Sequence, residues 1–211
     1  MDSTLMTKLK VFVSAILAGI SISLGGMIFL SVESKVLGSL LFAVGLFLVL
    51  TFGFSLFTGK VCYTLGSGWG YVLDLLIIWL GNFCGTCIVA FLIRASRIAG
   101  IAEKASAMCD TKMQDNFISL FVLGIFCNIF IYIAVDEYKN NPHEFGKYLA
   151  IIFGVMGFIL CGTEHCVADM FYFNLSKPFS LDILLRLLVI TVGNAVGGIG
   201  INSIVNVIRK K

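Results

Sequence analysis

Six apolar stretches constrain this sequence more than any other feature, and they cover residues 11–32, 36–65, 71–93, 117–135, 148–173 and 181–208. An α-helix needs about 20 apolar residues to cross the hydrocarbon core of a bilayer. Only 13% of the residues are charged, whereas soluble domains have about 25%. The sequence therefore predicts an all-α membrane protein with six transmembrane helices, in a single transmembrane domain that covers residues 1–211.

Two of these stretches are too long or too polar to form one straight helix. The stretch 36–65 is interrupted between Gly53 and Gly59, and the stretch 148–173 contains the polar segment Thr163-Glu164-His165. Non-helical backbone at membrane depth is tolerated only where it is buried in protein or lines a cavity. We predict that helices 2 and 5 are broken at mid-membrane, with the first loop over residues 55–59. The alternative for helix 2 is an early end followed by an amphipathic surface segment.

His165 is an ionisable residue in the second of these breaks. Ionisable side chains inside membrane segments are costly and usually face a cavity or a partner. Histidine is also the side chain whose unperturbed pKa lies nearest neutrality. We expect His165 to lie in a pore, where it handles an anion or its proton. The alternative is a buried histidine that is hydrogen-bonded to a neighbouring helix.

A short motif indicates an internal repeat. Gly81-Asn82-x-x-Gly85 in the third stretch is echoed by Gly193-Asn194-x-x-Gly197 in the sixth. Each half, about 1–94 and 112–211, then contains a span, a broken span and a Gly-Asn span. Because three spans is an odd number, the second half must be inverted relative to the first. Inverted repeats with paired broken helices place their binding site at the repeat interface near the midplane.

The charges near the chain ends predict the orientation. An even number of spans places both termini on one side. The basic residues near the ends favour the cytoplasm by the positive-inside rule, although the connection from Arg94 to Lys112 contains four basic residues of its own. These terminal residues are Lys8, Lys10, Arg209, Lys210 and Lys211.

These motifs, taken in order, resemble the formate/nitrite transporter family over essentially the whole chain. The resemblance implies an aquaporin-like fold, a homopentamer with one pore per protomer, and transport of small monovalent anions such as formate, nitrite or hydrosulfide. The motifs are Leu56-Phe57-Thr58-Gly59, Cys127-Asn128, Gly162-x-Glu164-His165-x-x-Ala168-x-Met170-Phe171, and Gly193-Asn194-x-x-Gly197.

The resemblance also assigns site residues. It implies that His165 is the central pore histidine, that Thr58 faces it, and that Asn128 and Lys112 lie near the pore. The apolar constrictions would be formed by Phe42, Leu46, Leu56, Phe57, Ile131 and Phe158, and the residues that support the helix breaks would be Glu164, Gly162, Gly59 and Asn194. In the family pattern a glutamate usually precedes Leu56, whereas this chain has Ser55.

Electrostatics then suggests a mechanism. An anion that crosses an apolar constriction pays several kcal/mol of desolvation, whereas its neutral acid pays far less. We expect Lys112 to raise the local anion concentration. We expect His165, hydrogen-bonded to Thr58 and Asn128, to donate a proton to the anion or to stabilise it. The expected partners are therefore small anions, protons, the lipid bilayer of the cell membrane and further copies of the chain.

Other classes of function fit the sequence less well. An aquaporin-like channel for water or small neutral solutes is the closest alternative, because broken half-helices also serve such channels. An enzyme is not expected, since Glu164-His165 with Asp169 lacks the second histidine of the zinc protease pattern. Cys84-x-x-Cys87 lacks a second ligand pair, so we expect no metal or other cofactor. The small net charge of +3 does not suggest nucleic acid binding.

Overall fold

The computed structural model describes residues 3–176 and 178–209, and the regular structure in these ranges is α-helical. Lys210 and Lys211, which contribute to the predicted orientation, lie outside the described residues. The helices are α1 (Ser3–Ser31), α2 (Lys35–Phe52), α3 (Phe57–Val61), α4 (Gly68–Arg94), α5 (Ile101–Gln114), α6 (Phe117–Asn140), α7 (Glu144–Leu160), α8 (Cys166–Ser176) and α9 (Leu181–Arg209).

Five of the described helices, α1, α2, α4, α6 and α9, are long and apolar enough to cross a membrane. The fifth stretch of the sequence corresponds to two shorter helices, α7 and α8, which are separated by residues 161–165. The structure therefore supports a multi-helix membrane protein, and by length and composition alone it identifies five spans within the described residues.

The first loop begins and ends earlier in the structure than the sequence predicts. Helix α2 ends at Phe52, and Gly53 has a φ of 70°, a left-handed conformation that glycine adopts without steric cost. Phe57, Thr58 and Gly59, which we expected in the loop, already belong to α3. The physical reason is that the first amide of α3 has an acceptor, because Phe57 N donates to Asn82 Oδ1 over 2.9 Å.

The second loop has the same geometry. Helix α7 ends at Leu160, and Gly162 has a φ of 68°. His165 immediately precedes α8, and its carbonyl oxygen accepts from Asp169 N over 2.9 Å. Both loops therefore leave a helix through a left-handed glycine and enter a short buried helix within the next few residues.

Glycines bring the long helices into close contact. A Cβ atom added at Gly85 of α4 would lie 2.2 Å from Ile16 O of α1, and one added at Gly197 of α9 would lie 2.2 Å from Ile125 O of α6. Small residues permit this close backbone approach between membrane helices. Helix α1 packs against α2 and α4, and α6 packs in the same way against α7 and α9.

Helix α5 occupies the polar connection that was expected to form a short helix outside the membrane core. It packs against α8 and α1, and it ends just after the buried Lys112. Arg186 of α9 holds this end, because its Nη1 donates to Lys112 O over 2.9 Å and to Asp115 O over 2.6 Å. A polar helix outside the spans thus delivers a charged side chain to the interior.

Candidate functional site

Two buried asparagines hold the two loops in the same manner. Asn82 Oδ1 accepts from the first amide of α3, and its Nδ2 donates to Ala15 O over 2.8 Å and to Ser55 O over 3.0 Å. Asn194 Oδ1 accepts from Cys166 N, the first amide of α8, over 2.9 Å. Asn194 Nδ2 donates to Gly124 O and Glu164 O, each over 2.8 Å. Every polar atom of both side chains is therefore used to anchor a loop.

These bonds relate the two loops residue by residue. Ser55 N lies 3.4 Å from Ser14 O, and Glu164 N lies 3.3 Å from Leu123 O in the corresponding contact. With the same sequence spacing, Gly53 corresponds to Gly162 and Phe57 corresponds to Cys166. His165 therefore occupies the position that Leu56 occupies in the first loop.

His165 is buried, with 2% of its surface exposed, and both of its ring nitrogens are hydrogen-bonded. Its Nδ1 accepts from Ala168 N over 3.1 Å, so Nδ1 carries no proton in this arrangement. The proton of the neutral ring is then on Nε2, which donates to Thr58 Oγ1 over 3.0 Å. The imidazole also stacks on Phe158, with ring centroids 5.5 Å apart.

Asn128 contacts the same region but does not bind His165. Its Nδ2 donates to Thr58 O over 3.2 Å and lies 3.6 Å from Cys62 Sγ. Its Oδ1 has no hydrogen-bond partner among the described residues. The expected hydrogen bond from Asn128 to His165 is therefore replaced by a bond to the backbone of α3, because the Thr58 carbonyl group faces α6.

Lys112 is buried and bound to two carboxylates. Its Nζ forms a short ion pair with Glu164 Oε2 and another with Asp169 Oδ1 at 2.9 Å. We refer to these three residues as the Lys112 triad. We expected Lys112 to attract anions, but the two carboxylates balance its positive charge. A bare anion would therefore gain little from it.

A cavity of about 350 Å³ contains the triad and His165 on its wall. We name it the Lys112 cavity. Gly162 and Phe158 also line it, and Lys35 stands at its edge, where Lys35 Nζ donates to Leu160 O over 3.2 Å. The remaining lining residues are Phe29, Met108, Thr111, Ile159, Thr163, Ala168 and Tyr172.

A second cavity of about 150 Å³ has Leu56 on its wall. We name it the Lys60 cavity, because Lys60 and Lys139 are the charged residues of its lining. Neither lysine has a carboxylate partner within 4.0 Å among the described residues, and Lys139 Nζ lies 4.2 Å from the centroid of the Tyr63 ring. Gly59 and Leu46 also line this cavity.

The residues assigned to the constriction are all buried, with 6% exposure or less. Leu46 and Leu56 line the Lys60 cavity, whereas Phe158 lines the Lys112 cavity. Phe42 packs edge-on against Phe158, with ring centroids 5.8 Å apart. Phe57 and Ile131 belong to the surrounding apolar core and line neither cavity.

The serine that replaces the usual acid of the first loop has a partner. Ser14 Oγ lies 3.2 Å from Ser55 Oγ, and Ser55 N donates to Ser14 Oγ over 3.0 Å. A neutral serine pair therefore anchors the first loop, whereas the charged Lys112 triad surrounds the second.

The site also contains four residues that were not predicted from the sequence, namely Asp169, Asn82, Lys60 and Lys139. Asp169 was detectable as the acid one helical turn after His165, and Asn82 as the partner of Asn194 in the repeated motif. No sequence signal identified Lys60 and Lys139, since they meet only through the packing of α3 against α6. Among the described residues, no three His, Cys, Asp or Glu side chains are arranged to hold a metal ion.

Comparisons with known proteins give a consistent result. The family described as formate/nitrite transporter matches residues 1–208. The formate channel FocB of Escherichia coli K12 is 27% identical over 200 residues, which are 84% of this chain and 68% of that protein. The formate channel FocA of Haemophilus influenzae is 26% identical over 234 residues, covering 89% of this chain and 82% of that protein.

The fold is also similar to solved structures. A pentameric formate channel with formate bound superposes with a TM-score of 0.84 at 26% identity, over 98% of this chain and 99% of that one. An ion channel of the same family superposes with a TM-score of 0.83. These relatives are channels rather than enzymes, in agreement with the prediction that this chain is not an enzyme. The chain is a multi-pass membrane protein and belongs to the formate/nitrite transporter family.

Proposed function

We propose that this chain conducts small monovalent weak-acid anions, namely formate, nitrite or hydrosulfide, and that their passage is linked to protons through His165. The observation that carries the proposal is the hydrogen bond between His165, which lines the Lys112 cavity, and Thr58, whose neighbour Gly59 lines the Lys60 cavity. The relatives named as formate channels support the substrate class.

The pathway passes from one cavity to the other through buried apolar side chains. Leu46 and Leu56 line the Lys60 cavity, and Phe158, which packs against Phe42, lines the Lys112 cavity. An anion that enters such a region loses its hydration at a cost of several kcal/mol. Passage as the neutral acid avoids most of this cost, so proton transfer at the centre of the pathway favours weak acids over chloride.

His165 and Thr58 provide the polar contact at this centre. The neutral imidazole donates its Nε2 proton to the Thr58 hydroxyl oxygen. The hydroxyl hydrogen of Thr58 then remains available to bind the permeant. A charged acceptor makes a stronger hydrogen bond than a neutral one, so this pair holds the anion at the position where it exchanges a proton.

We propose six transmembrane spans arranged as an aquaporin-like inverted repeat, with halves of about 1–94 and 112–211. In this arrangement α2 with α3 and α7 with α8 form the broken spans. The equivalent hydrogen bonds of Asn82 and Asn194 support it, as does the matching packing of α1 with α4 and of α6 with α9.

We also propose a homopentamer in the cell membrane with both termini in the cytoplasm. The match to a pentameric formate channel supports the oligomer. Apolar side chains that are exposed in the single chain, such as Phe91 (70%) and Leu181 (72%), provide surface for lipid and for neighbouring protomers. Lys8 and Lys10 support the orientation by the positive-inside rule.

The test is anion flux into proteoliposomes at about pH 5 and about pH 7.5, because proton-linked flux depends on the proton concentration. Formate, nitrite, hydrosulfide, chloride and glycerol would be compared. We expect weak-acid flux that rises as the pH falls, and little chloride or glycerol flux. His165→Phe should lower formate flux roughly tenfold or more, equivalent to at least about 1.4 kcal/mol in the barrier.

The matched control is His143→Phe, because His143 is an exposed residue at the start of α7. This variant should transport formate normally. Normal formate flux in His165→Phe with intact assembly would contradict the role of His165. Glycerol flux without anion flux would instead identify a channel for neutral solutes.

A further inference from the structure

The Lys112 triad contains more acid groups than basic ones. One ammonium group, Lys112 Nζ, is bound to both Glu164 Oε2 and Asp169 Oδ1. The triad is buried, since the side chains of the three residues are 9%, 7% and 2% exposed. If both carboxylates were ionised, this buried group would carry a net negative charge, which is costly away from water.

The second carboxylate oxygen of Asp169 provides independent evidence. Asp169 Oδ2 is buried and has no hydrogen-bond donor among the described residues. A buried charged oxygen without a donor is strongly disfavoured. The carboxyl groups of Glu164 and Asp169 bind the same ammonium nitrogen, so the two acids are neighbours. A proton shared between the two acids would satisfy the orphan oxygen and make the triad electrically neutral.

Among the residues that the structure describes, no cation other than Lys112 forms an ion pair with Glu164 or Asp169. Arg94 and Arg186 bind the backbone carbonyl groups of Leu175 and Lys112, and α1 has its lysines, Lys8 and Lys10, at its opposite end. Lys35 lines the same cavity and donates to Leu160 O, and Lys60 lines the other cavity. Further titratable groups beside the triad are His165, which is neutral, and Cys109, Cys127, Cys166 and Tyr172.

The hydrogen bonds of His165 explain why such a site is needed. Nδ1 of His165 accepts from Ala168 N. A second ring proton would break this bond and make the Nδ1–H group face the N–H group of Ala168. The neutral imidazole is a poor proton donor to an anion. His165 therefore links passage to protons by positioning the permeant, and the proton itself comes from the two acids of the triad on the wall of the same cavity.

We propose that Glu164 and Asp169 together hold one exchangeable proton above Lys112, and that this acid pair supplies the proton that converts the permeant anion into its neutral acid. Delivery of the proton to the permeant rests on the proposed transport function, whereas the shared proton itself does not.

The proton transfer balances without another reactant. The O–H bond of the acid pair breaks and an O–H bond forms on formate, which leaves as formic acid. The pair then carries one extra negative charge, which Lys112 stabilises until water in the Lys112 cavity returns a proton. His165 and Thr58 hold the anion during this step by hydrogen bonds and are unchanged afterwards.

The first experiment detects the proton directly, without transport. Infrared difference spectra of the purified protein at neutral pH, with and without Asp169→Asn, report the carbonyl stretch of a protonated carboxylic acid. We expect this band in the unmodified protein and its loss in Asp169→Asn, because Glu164 and Lys112 then form an ion pair of equal charges. Absence of the band in the unmodified protein, or its persistence in Asp169→Asn, would overturn the proposal.

The matched control is Asp136→Asn. Asp136 is also a buried acid, but its Oδ2 is bound by Arg209 Nη1 at 2.7 Å. Its removal should leave the acid band unchanged. Loss of the band in both variants would overturn the assignment to the triad.

The second experiment measures formate flux against pH for the same two variants. A positioned proton donor contributes roughly 100-fold, so Asp169→Asn should lower formate flux by about this factor and flatten its pH profile. Asp136→Asn should retain the formate flux of the unmodified protein and its pH profile. An acid band that disappears while flux and pH profile stay unchanged would overturn proton delivery. Absence of formate flux in the unmodified protein would refute the proposed function but leave the infrared result on the proton site intact.

Discussion

At the residue scale, the two loops depend on one asparagine each. Asn194 makes three hydrogen bonds to backbone groups of α6, α8 and the loop before α8. Its side chain is fully buried, with 0% exposure. Because the Asn194 side chain is closed off from solvent, water does not replace its bonds, so the loop depends on this asparagine.

Asn194→Ala should therefore be strongly destabilising. It leaves Cys166 N, Gly124 O and Glu164 O without their side-chain partner. Each unsatisfied buried group costs about 1–3 kcal/mol. We expect a lower thermal unfolding midpoint in detergent and a poor yield of folded protein.

Asn206→Ala in the same helix is the control, because Asn206 is exposed and bonds only the side chain of Asn202, over 3.2 Å. Its effect should stay within about 0.5 kcal/mol. Equal unfolding midpoints for the two variants would show that the loop is held by packing alone.

The contacts of individual residues could be predicted only in part. Family resemblance led us to expect His165 beside Thr58, and the structure places them in hydrogen-bonding contact. It did not predict that Lys112 binds two acids or that Asn128 binds a backbone carbonyl group. These contacts join residues 52 to 107 positions apart, so they depend on helix packing rather than on local spacing.

At the element scale, hydropathy located the long helices well but not all of their ends. The sixth stretch was predicted to start at Leu181, where α9 begins. The first was predicted to start at Val11, whereas α1 begins at Ser3, because hydropathy marks the apolar part of a helix and not its polar extension. The first loop was misplaced because a side-chain acceptor from a distant helix starts α3.

Gly197 tests how closely the long helices must approach. A Cβ atom at Gly197 would lie 2.2 Å from Ile125 O, so Gly197→Ala forces α9 away from α6. We expect a loss of about 1–3 kcal/mol, as for other overpacked positions. The measurement is the thermal unfolding midpoint in detergent.

Gly200→Ala serves as the control in the same helix. Nothing lies within 4 Å of a Cβ atom at Gly200, and alanine is favoured over glycine in helices by up to about 1 kcal/mol. This variant should be as stable as the unmodified protein or slightly more so. If Gly197→Ala behaved like Gly200→Ala, close contact between α6 and α9 would not be required.

At the scale of the whole molecule, the two ends of the proposed pathway differ in charge. The Lys112 cavity contains two lysines and two acids, whereas the charged residues that line the Lys60 cavity are two lysines. In the first half, Lys60 stands at the position that corresponds to Asp169 in the second half. The two halves have similar backbones but opposite charges at this position, so under the proposed function the Lys60 cavity would attract anions and the Lys112 cavity would hold the acid pair.

This asymmetry predicts that the Lys60 cavity collects anions by a long-range field. The double substitution Lys60→Gln with Lys139→Gln should lower the initial rate of formate uptake from that side roughly tenfold at low ionic strength. The difference should shrink as salt is added, because the Debye length is about 10 Å at 0.1 M. Lys104→Gln is the control, since Lys104 is 45% exposed and forms a surface ion pair with Glu33. A loss of rate that persisted at high salt would indicate that the two lysines shape the cavity rather than attract anions to it.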